Sequence, residues 1–140
     1  MKWTRFAMLG AVAALLAGCP SGPTFVVQQY AGPQRPAYSV AVLRVNGNED
    51  VRLLVLDGKD VAAPILEDGR LHIELLPARH TLVAGRATSN DGSEAVAFVA
   101  EAGRVYRVAY IASAPHVYEV DRAKDAIVRD VTEGGPAGAP

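Results

Sequence analysis

Cysteine is nearly absent from this chain of 140 residues, since Cys19 is the only one. No disulfide can form within the chain, so the hydrophobic core alone must hold the fold together. A dominant charge is lacking as well, because 14 Lys and Arg residues face 15 Asp and Glu residues and no basic run occurs. This balance argues against nucleic acid or an anionic lipid surface as an electrostatically attracted partner.

Sequence signatures of common enzyme sites are missing too. The chain has no phosphate-binding glycine loop and no dinucleotide fingerprint, and no nucleophile elbow surrounds Ser93. Asp57 and Asp68 each precede a glycine, which is a turn signature before it is a catalytic one. The spacing of the later aspartates differs from that of an EF-hand loop: Asp121, Asp125 and Asp130. We therefore expect a protein that is not an enzyme and that needs no cofactor.

What the N-terminus does contain is the pattern of a secretory signal. Lys2 and Arg5 supply positive charge, an apolar run interrupted only by Gly10 covers residues 6–17, and small residues close it. The run is too short to span a bilayer, which needs roughly 20 apolar residues. The residues that end the signal resemble the lipobox of bacterial lipoproteins: Leu16, Ala17, Gly18 and Cys19.

The lipobox resemblance implies a covalent lipid anchor. It implies diacylglyceryl transfer to the Cys19 thiol and signal cleavage between Gly18 and Cys19. Two or more acyl chains hold a protein firmly on a membrane, whereas one chain gives marginal binding. Pro20 stands where inner-membrane lipoproteins of enterobacteria carry aspartate, which favours the outer membrane. We expect a protein of the cell envelope, in the periplasm or at the cell surface.

Composition divides the chain into four predicted parts. Prolines and glycines after Cys19 indicate an extended tether, with a short edge strand at residues 25–27 as the alternative. The C-terminal residues carry no side chain able to anchor a core. The parts are a lipoprotein signal peptide (1–18), the lipidated cysteine and tether (19–38), a β-sandwich domain (39–131) and a disordered tail (132–140).

The central part has the pattern of an all-β protein. Short apolar runs alternate with turn signals, which is typical of strands and not of helices. This predicts a small antiparallel β-sandwich of about seven or eight strands, with a barrel as the related possibility. A short helix within residues 121–130 is the one competing interpretation. The predicted strands cover residues 39–45, 51–56, 70–76, 81–88, 94–100, 105–112, 116–121 and 126–131.

Alternation also predicts faces and neighbours. Leu71, Ile73 and Leu75 should share the buried face of their strand. The run at 94–100 should form a hairpin with 105–112, with Gly103 supplying a positive φ. The run at 51–56 is apolar on both faces apart from one arginine, which indicates a central strand covered on both sides.

One segment of the domain resembles a known module. VLDGKDVAAPILEDGRLHIELLPARHTLVAG, residues 55–85, is similar to PEGA-type repeats. Those are small β-sandwich modules of bacterial surface proteins, and the chain has Ala78 where they usually have glycine. The resemblance implies a fold and a compartment but no activity.

Three functions fit these observations. The first is a lipid-tethered interaction or structural module of the envelope, which binds a protein through a sheet edge or a loop end. The second is a carbohydrate- or peptidoglycan-binding module, for which Tyr30, Tyr38 and Tyr118 would have to form an exposed platform. The third is a metal-binding protein or small hydrolase, whose candidate ligands are His72, Glu74, His80 and His116. We favour the first, with the membrane and an envelope protein as its partners.

Overall fold

The computed structural model describes residues 24–47, 49–61, 70–89 and 92–133. These ranges contain ten β-strands, which confirms the predicted all-β class. Across the same ranges, no helix has the length and apolar character needed to cross a membrane. The strands are β1 Thr24–Gln28, β2 Ala41–Asn46, β3 Arg52–Leu56, β4 Lys59–Asp60, β5 Arg70–Leu75, β6 Ala78–Gly85, β7 Ser93–Ala100, β8 Val105–Ile111, β9 Ala114–Val120 and β10 Ile127–Asp130.

The strands form two sheets around one core. The first sheet has the order β1-β5-β2-β8-β9-β10, and the second has the order β4-β3-β6-β7. Most pairings are antiparallel, but β1 with β5 and β2 with β8 are parallel. All residues of β4 and β10 are exposed, whereas residues of β2, β3 and β5–β9 point inward from both sheets and form a single sandwich-like core. Its buried members are Ala41, Leu43, Val45, Val51, Leu53, Leu56, Ile73, Leu75, Leu82, Ala84, Phe98, Ala100, Tyr106, Val108 and Val117.

Each of the eight predicted runs overlaps a strand. The predicted faces of β5 are also confirmed, because Ile73 and Leu75 are buried and Leu71 packs against the core. The central position predicted for the run at 51–56 is confirmed, since β3 lies between β4 and β6. The predicted cover on both faces is only partial, because Leu53 and Leu56 are buried whereas Leu54 and Val55, beside a register shift, are half-buried.

The predicted hairpin of β7 with β8 is wrong. β7 pairs with β6 in the smaller sheet, whereas β8 pairs with β2 and β9 in the larger one. Gly103 does adopt a positive φ of 76°, but its turn carries the chain from one sheet to the other. Phe98 and Tyr106 therefore meet across the core, with ring centroids 5.3 Å apart. Apolar alternation in two strands is satisfied equally by lateral pairing and by facing each other, so the pattern alone did not distinguish them.

The segment predicted as a tether contains the first strand of the sheet. β1 pairs in parallel with β5, in register from Thr24 with Arg70 to Gln28 with Glu74. Val27 packs against the core cluster. The edge-strand alternative for residues 25–27 is therefore the one the structure has, and the folded unit begins before residue 39. The strand forms because Val27 gains apolar contacts with the core, whereas an extended tether would leave this side chain in water.

The C-terminal region also differs from the prediction at one boundary. Strand β10 occupies Ile127–Asp130, so the helix alternative for residues 121–130 is wrong. The tail was expected to begin at 132, yet Thr132 accepts a hydrogen bond from the Val117 N–H at 2.8 Å. Glu133 then donates its N–H to the Ala97 carbonyl at 2.7 Å. These polar contacts join the end of the larger sheet to β7 of the smaller one; residues 134–140 lie outside the described ranges.

Candidate functional site

The residues proposed for lipidation lie outside the described ranges. Gly18 and Cys19 precede Thr24, the first residue that the structure describes. Signal cleavage and acylation at this position therefore stay predictions from the sequence. Of the acidic turn candidates, Asp68 lies outside the described ranges as well.

His80 is buried and fully occupied by its neighbours. Its Nδ1 lies 2.6 Å from Asp57 Oδ2, and its Nε2 donates to the Leu76 carbonyl at 2.7 Å. Asp57 has a positive φ of 51° and also accepts the Thr81 N–H. Both ring nitrogens of His80 are therefore engaged by neighbours in the fold, and the pair with Asp57 ties the turn after β3 to β6.

The other two histidines lie on the outer face of the larger sheet. His116 Nδ1 is 2.8 Å from Asp130 Oδ2, and the His116 ring stacks on that of Tyr118 with ring centroids 5.9 Å apart. His72 is on β5, three strand positions from β9, which corresponds to about 14 Å at the usual strand spacing. Within the described residues, no group of three or more His, Cys, Asp or Glu side chains converges as metal ligands would. The structure thus keeps His72, His80 and His116 apart.

Glu74, the remaining candidate ligand, is engaged with the chain segment that follows β1. Its carboxylate accepts hydrogen bonds from the Tyr30 hydroxyl and the Gln34 amide, each at 3.0 Å. The Arg35 guanidinium lies over the Tyr30 ring, 5.5 Å from its centroid. These contacts hold residues 30–35 against β5 and give Glu74 a structural role.

The three candidate tyrosines do not form one platform. Tyr30 is bonded to Glu74 beside β5, whereas Tyr118 lies on β9 and stacks on His116. Tyr38 is 78% exposed in the connection before β2. Among the described aromatic contacts, none joins two of these tyrosines. The arrangement that would favour a carbohydrate-binding module is not present in this part of the chain.

A row of polar residues crosses the outer face of the larger sheet, and its two arginines are not among the sequence-based candidates. Backbone register places His72 beside Arg44, Arg44 beside Arg107, and Arg107 beside Tyr118. Two loops contribute acids to the row, Glu49 from the β2–β3 connection and Asp125 from the β9–β10 connection. We call the five residues His72, Arg44, Arg107, Glu49 and Asp125 the Arg44–Arg107 cluster.

Ion pairs join the two arginines of this cluster through Asp125. Arg44 Nη1 lies 2.9 Å from Asp125 Oδ1, and Arg107 Nη1 lies 3.4 Å from Asp125 Oδ2. Arg107 Nε is also 3.5 Å from Glu49 Oε1. The arginine side chains are only 19% and 18% exposed, whereas that of Asp125 is 42% exposed. The two cations are thus the least exposed charged groups of these ion pairs, and the Asp125 carboxylate is more exposed than that of Glu49, at 42% against 26%.

Hydrogen bonding in the cluster is incomplete. Within the described residues, four buried side-chain polar atoms are without a hydrogen-bond partner, and all four belong here: Arg44 Nε, Arg107 Nε, His72 Nε2 and Glu49 Oε2. Buried polar atoms are almost always paired, so such a concentration marks a site with unused bonding capacity.

Burial and neighbouring charges shift two pKa values in the cluster. Burial, followed by the positive charges of Arg44 and Arg70, lowers the pKa of His72 and favours the neutral ring. Burial raises the pKa of Glu49, and the nearby Arg107 opposes that rise. The arginines are the fixed cations of the site, and the groups they hold there are the carboxylates of Asp125 and Glu49.

A sequence signal for this cluster did exist. Arg44 is the lone charged residue of β2 in AVLRVN, and Arg107 is the lone charged residue of β8 in VYRVAYI. An arginine inside an otherwise apolar strand is a candidate for a buried ion pair. The register that makes the two arginines neighbours, however, depends on a parallel pairing between strands far apart in sequence.

Comparison with known proteins leaves the PEGA resemblance as a prediction. A search with the chain finds no matching family model, no matching curated protein and no matching solved structure.

Proposed function

We propose that this protein is a lipid-anchored, non-catalytic interaction or structural module of the bacterial cell envelope. The anchor is the acylated Cys19, and the β domain faces the periplasm or the cell surface. The outer membrane is favoured over the inner membrane because residue 20 is proline. An envelope protein is the proposed partner of the domain.

The observation that carries this proposal is the position of the lipobox relative to the first strand. The lipobox-like residues end at Cys19, and β1 begins five residues later at Thr24. Five extended residues span at most about 18 Å. A lipid on Cys19 would therefore hold the β1 edge of the larger sheet close to the membrane surface, and not at the end of a long tether.

The two strands that end the larger sheet, among the described residues, are the surfaces proposed for partner binding. β1 and β10 are its terminal strands, and each carries a valine that is 60% exposed, Val26 and Val128. Terminal strands present unpaired backbone groups to which an extended segment of another protein can add. The non-catalytic reading is supported by His80, whose two ring nitrogens are both engaged by structural partners.

The anchor is tested by labelling cells with palmitate. Wild type is expected to incorporate the label and to sediment with membranes, whereas Cys19→Ala is expected to do neither. Ser21→Ala is the matched control, since it changes a neighbouring residue outside the lipobox and should label normally. Equal labelling of Cys19→Ala and wild type would refute the anchor.

The interaction module is tested by photocrosslinking in cells. A photoreactive residue at Val26 or Val128 is expected to capture an envelope protein as a discrete band. The control position is Tyr38, which is more exposed than either valine but lies outside the strands. Absence of a band at both edges, or an identical band at Tyr38, would refute binding through a sheet edge.

A further inference from the structure

We propose that Arg44 and Arg107 form a carboxylate-binding site that the chain's own Asp125 occupies, and that a carboxylate-bearing ligand binds there by displacing Asp125. This inference goes beyond the proposed function, because it does not depend on lipidation of Cys19 or on either sheet edge.

Two largely buried cations lie close together in the cluster. Arg44 and Arg107 are direct neighbours on adjacent strands, and about four-fifths of each side chain is buried. Like charges opposite each other on a sheet repel, and buried charges need a partner of opposite sign. The space between the two guanidinium groups therefore requires an anion, and the geometry shows that it accepts a carboxylate.

Asp125 is presented to the arginines from an exposed turn. Its φ of 55° lies in the left-handed region, which is unfavourable for residues other than glycine although aspartate tolerates it better than most. The turn is closed by the Asp125 N–H donating to the Asp121 carbonyl at 2.8 Å. Residues 121–124 are all exposed, so Asp125 can withdraw toward solvent without disturbing the core.

Asp125 leaves part of the bonding capacity of the arginines unused. Its carboxylate contacts only Nη1 of each arginine; within the described residues Arg44 Nε has no hydrogen-bond partner, and Arg107 Nε has only the ion pair with Glu49 Oε1 at 3.5 Å. A carboxylate bound side-on to a guanidinium uses Nε and one terminal nitrogen together. An untethered ligand can adopt that geometry at Arg44, whereas Asp125, as its turn presents it, reaches only the Nη1 atoms. The ligand would thus gain hydrogen bonds that Asp125 does not make.

Charge distinguishes a carboxylate from a phosphate. The group that the ligand would displace, the Asp125 side chain, is itself a carboxylate, and Glu49 remains 3.5 Å from Arg107 when Asp125 is withdrawn. A monoanion replaces the charge of Asp125, whereas a dianionic phosphate would add a further negative charge beside Glu49. The site therefore fits a carboxylate, borne either by a small free acid or by a peptide C-terminus.

The test measures acetate binding to the purified full chain by calorimetry, at constant ionic strength. Asp125→Asn is expected to bind acetate at least about tenfold more tightly than wild type, since the competing internal carboxylate is gone. The matched control is Asp50→Asn, which removes an aspartate paired with Arg86 at 3.2 Å elsewhere on the domain. Unchanged affinity in Asp125→Asn, or equal tightening in Asp50→Asn, would overturn the proposal.

A second measurement covers the case in which Asp125→Asn does not fold. In wild type, acetate is expected to shift the Nε–Hε NMR signals of Arg44 and Arg107 and to leave that of Arg79, which pairs with Glu133, unchanged. Equal shifts at Arg79, or none at the two site arginines, would overturn the proposal.

The source of the carboxylate is read from two further probes, a short peptide with a free C-terminus and its C-terminal amide. Tighter binding of the peptide acid than of acetate assigns the ligand to a peptide terminus. Equal or weaker binding of the acid assigns it to a small free carboxylate. Binding of the amide as tight as that of the acid would overturn carboxylate recognition.

Discussion

Phe98 shows what a single side chain contributes to this fold. It is completely buried, and its ring lies 5.3 Å from that of Tyr106 and 5.9 Å from that of His80. Phe98 therefore joins β7 of the smaller sheet to β8 of the larger one, at the place where the chain changes sheets.

The first prediction concerns this contact. Phe98→Ala is expected to lower the free energy of unfolding by about 3–5 kcal/mol, because apolar contacts are lost and a cavity remains. Chemical denaturation measures the change. Val99→Ala, at the adjacent position on the exposed face, is the control and should change stability by less than about 0.5 kcal/mol. Equal effects of the two substitutions would mean that the register of β7 is wrong.

The second prediction concerns the pH dependence of stability at His72. Burial and the charges of Arg44 and Arg70 lower the pKa of His72 below its usual 6.5. The unfolded chain then binds more protons than the folded chain below pH 6.5, so the stability that the neutral ring contributes is lost as pH falls toward the folded pKa. Wild type should therefore lose more stability than His72→Gln between pH 7 and the acidic limit of folding. Parallel pH profiles of the two proteins would contradict the shift.

At the scale of elements, β1 carries the next prediction. Chains beginning at residue 20 and at residue 39 differ in whether β1 can pair with β5. The shorter chain is expected to be less stable by about 1–3 kcal/mol, because Val27 leaves the core and the edge of β5 is uncovered. Thermal unfolding compares the two. A third chain beginning at residue 29 lacks β1 but retains the contacts of residues 30–35 with Glu74, so it separates the contribution of the strand from that of the following segment. Equal stability of all three chains would show that β1 adds nothing to the fold.

The strands themselves were predicted from the sequence far better than the pairing of one strand with another. Ile73 and Leu75 reveal the buried face of β5 because side chains alternate along any strand, whatever lies beside it. The partners of β8 are β2, which lies about 60 residues earlier in the chain, and β9. Pairing over such a distance depends on how the whole core closes, and the local pattern carries no information about it. The turn at Gly103 was located correctly because a turn signal is local in sequence. Its assignment to a hairpin within one sheet failed because strand pairing is not local.

At the scale of the whole molecule, the prediction concerns sorting between membranes. Wild type is expected in the outer-membrane fraction of a sucrose gradient of envelope membranes. Pro20→Asp is expected to move it toward the inner membrane, if the residue after Cys19 is read as in enterobacteria. Ser21→Asp, which adds the same charge one position later, should leave the distribution unchanged. Identical distributions of wild type and Pro20→Asp would contradict sorting by residue 20.

The Arg44–Arg107 cluster marks the limit of prediction for the candidate site. Each arginine was visible in the sequence as a single charge within an apolar strand. The sequence offers Asp125 only as a calcium ligand with the wrong spacing, because its neighbours in sequence are Lys124 and Ala126 and not the arginines that it contacts. The site arises from four separate segments, and none of them has a recognisable motif by itself.

The lipobox resemblance, the all-β class and the inward faces of the strands all follow from local order along the chain. Signal recognition reads contiguous residues, and strand periodicity repeats every two residues, so both are written in short stretches. Which strands are neighbours, where the chain changes sheets, and that two arginines share one aspartate depend on contacts between distant segments. Those contacts form only when both sheets bury their apolar faces against each other, because burial is a property of the assembled core and not of any one strand.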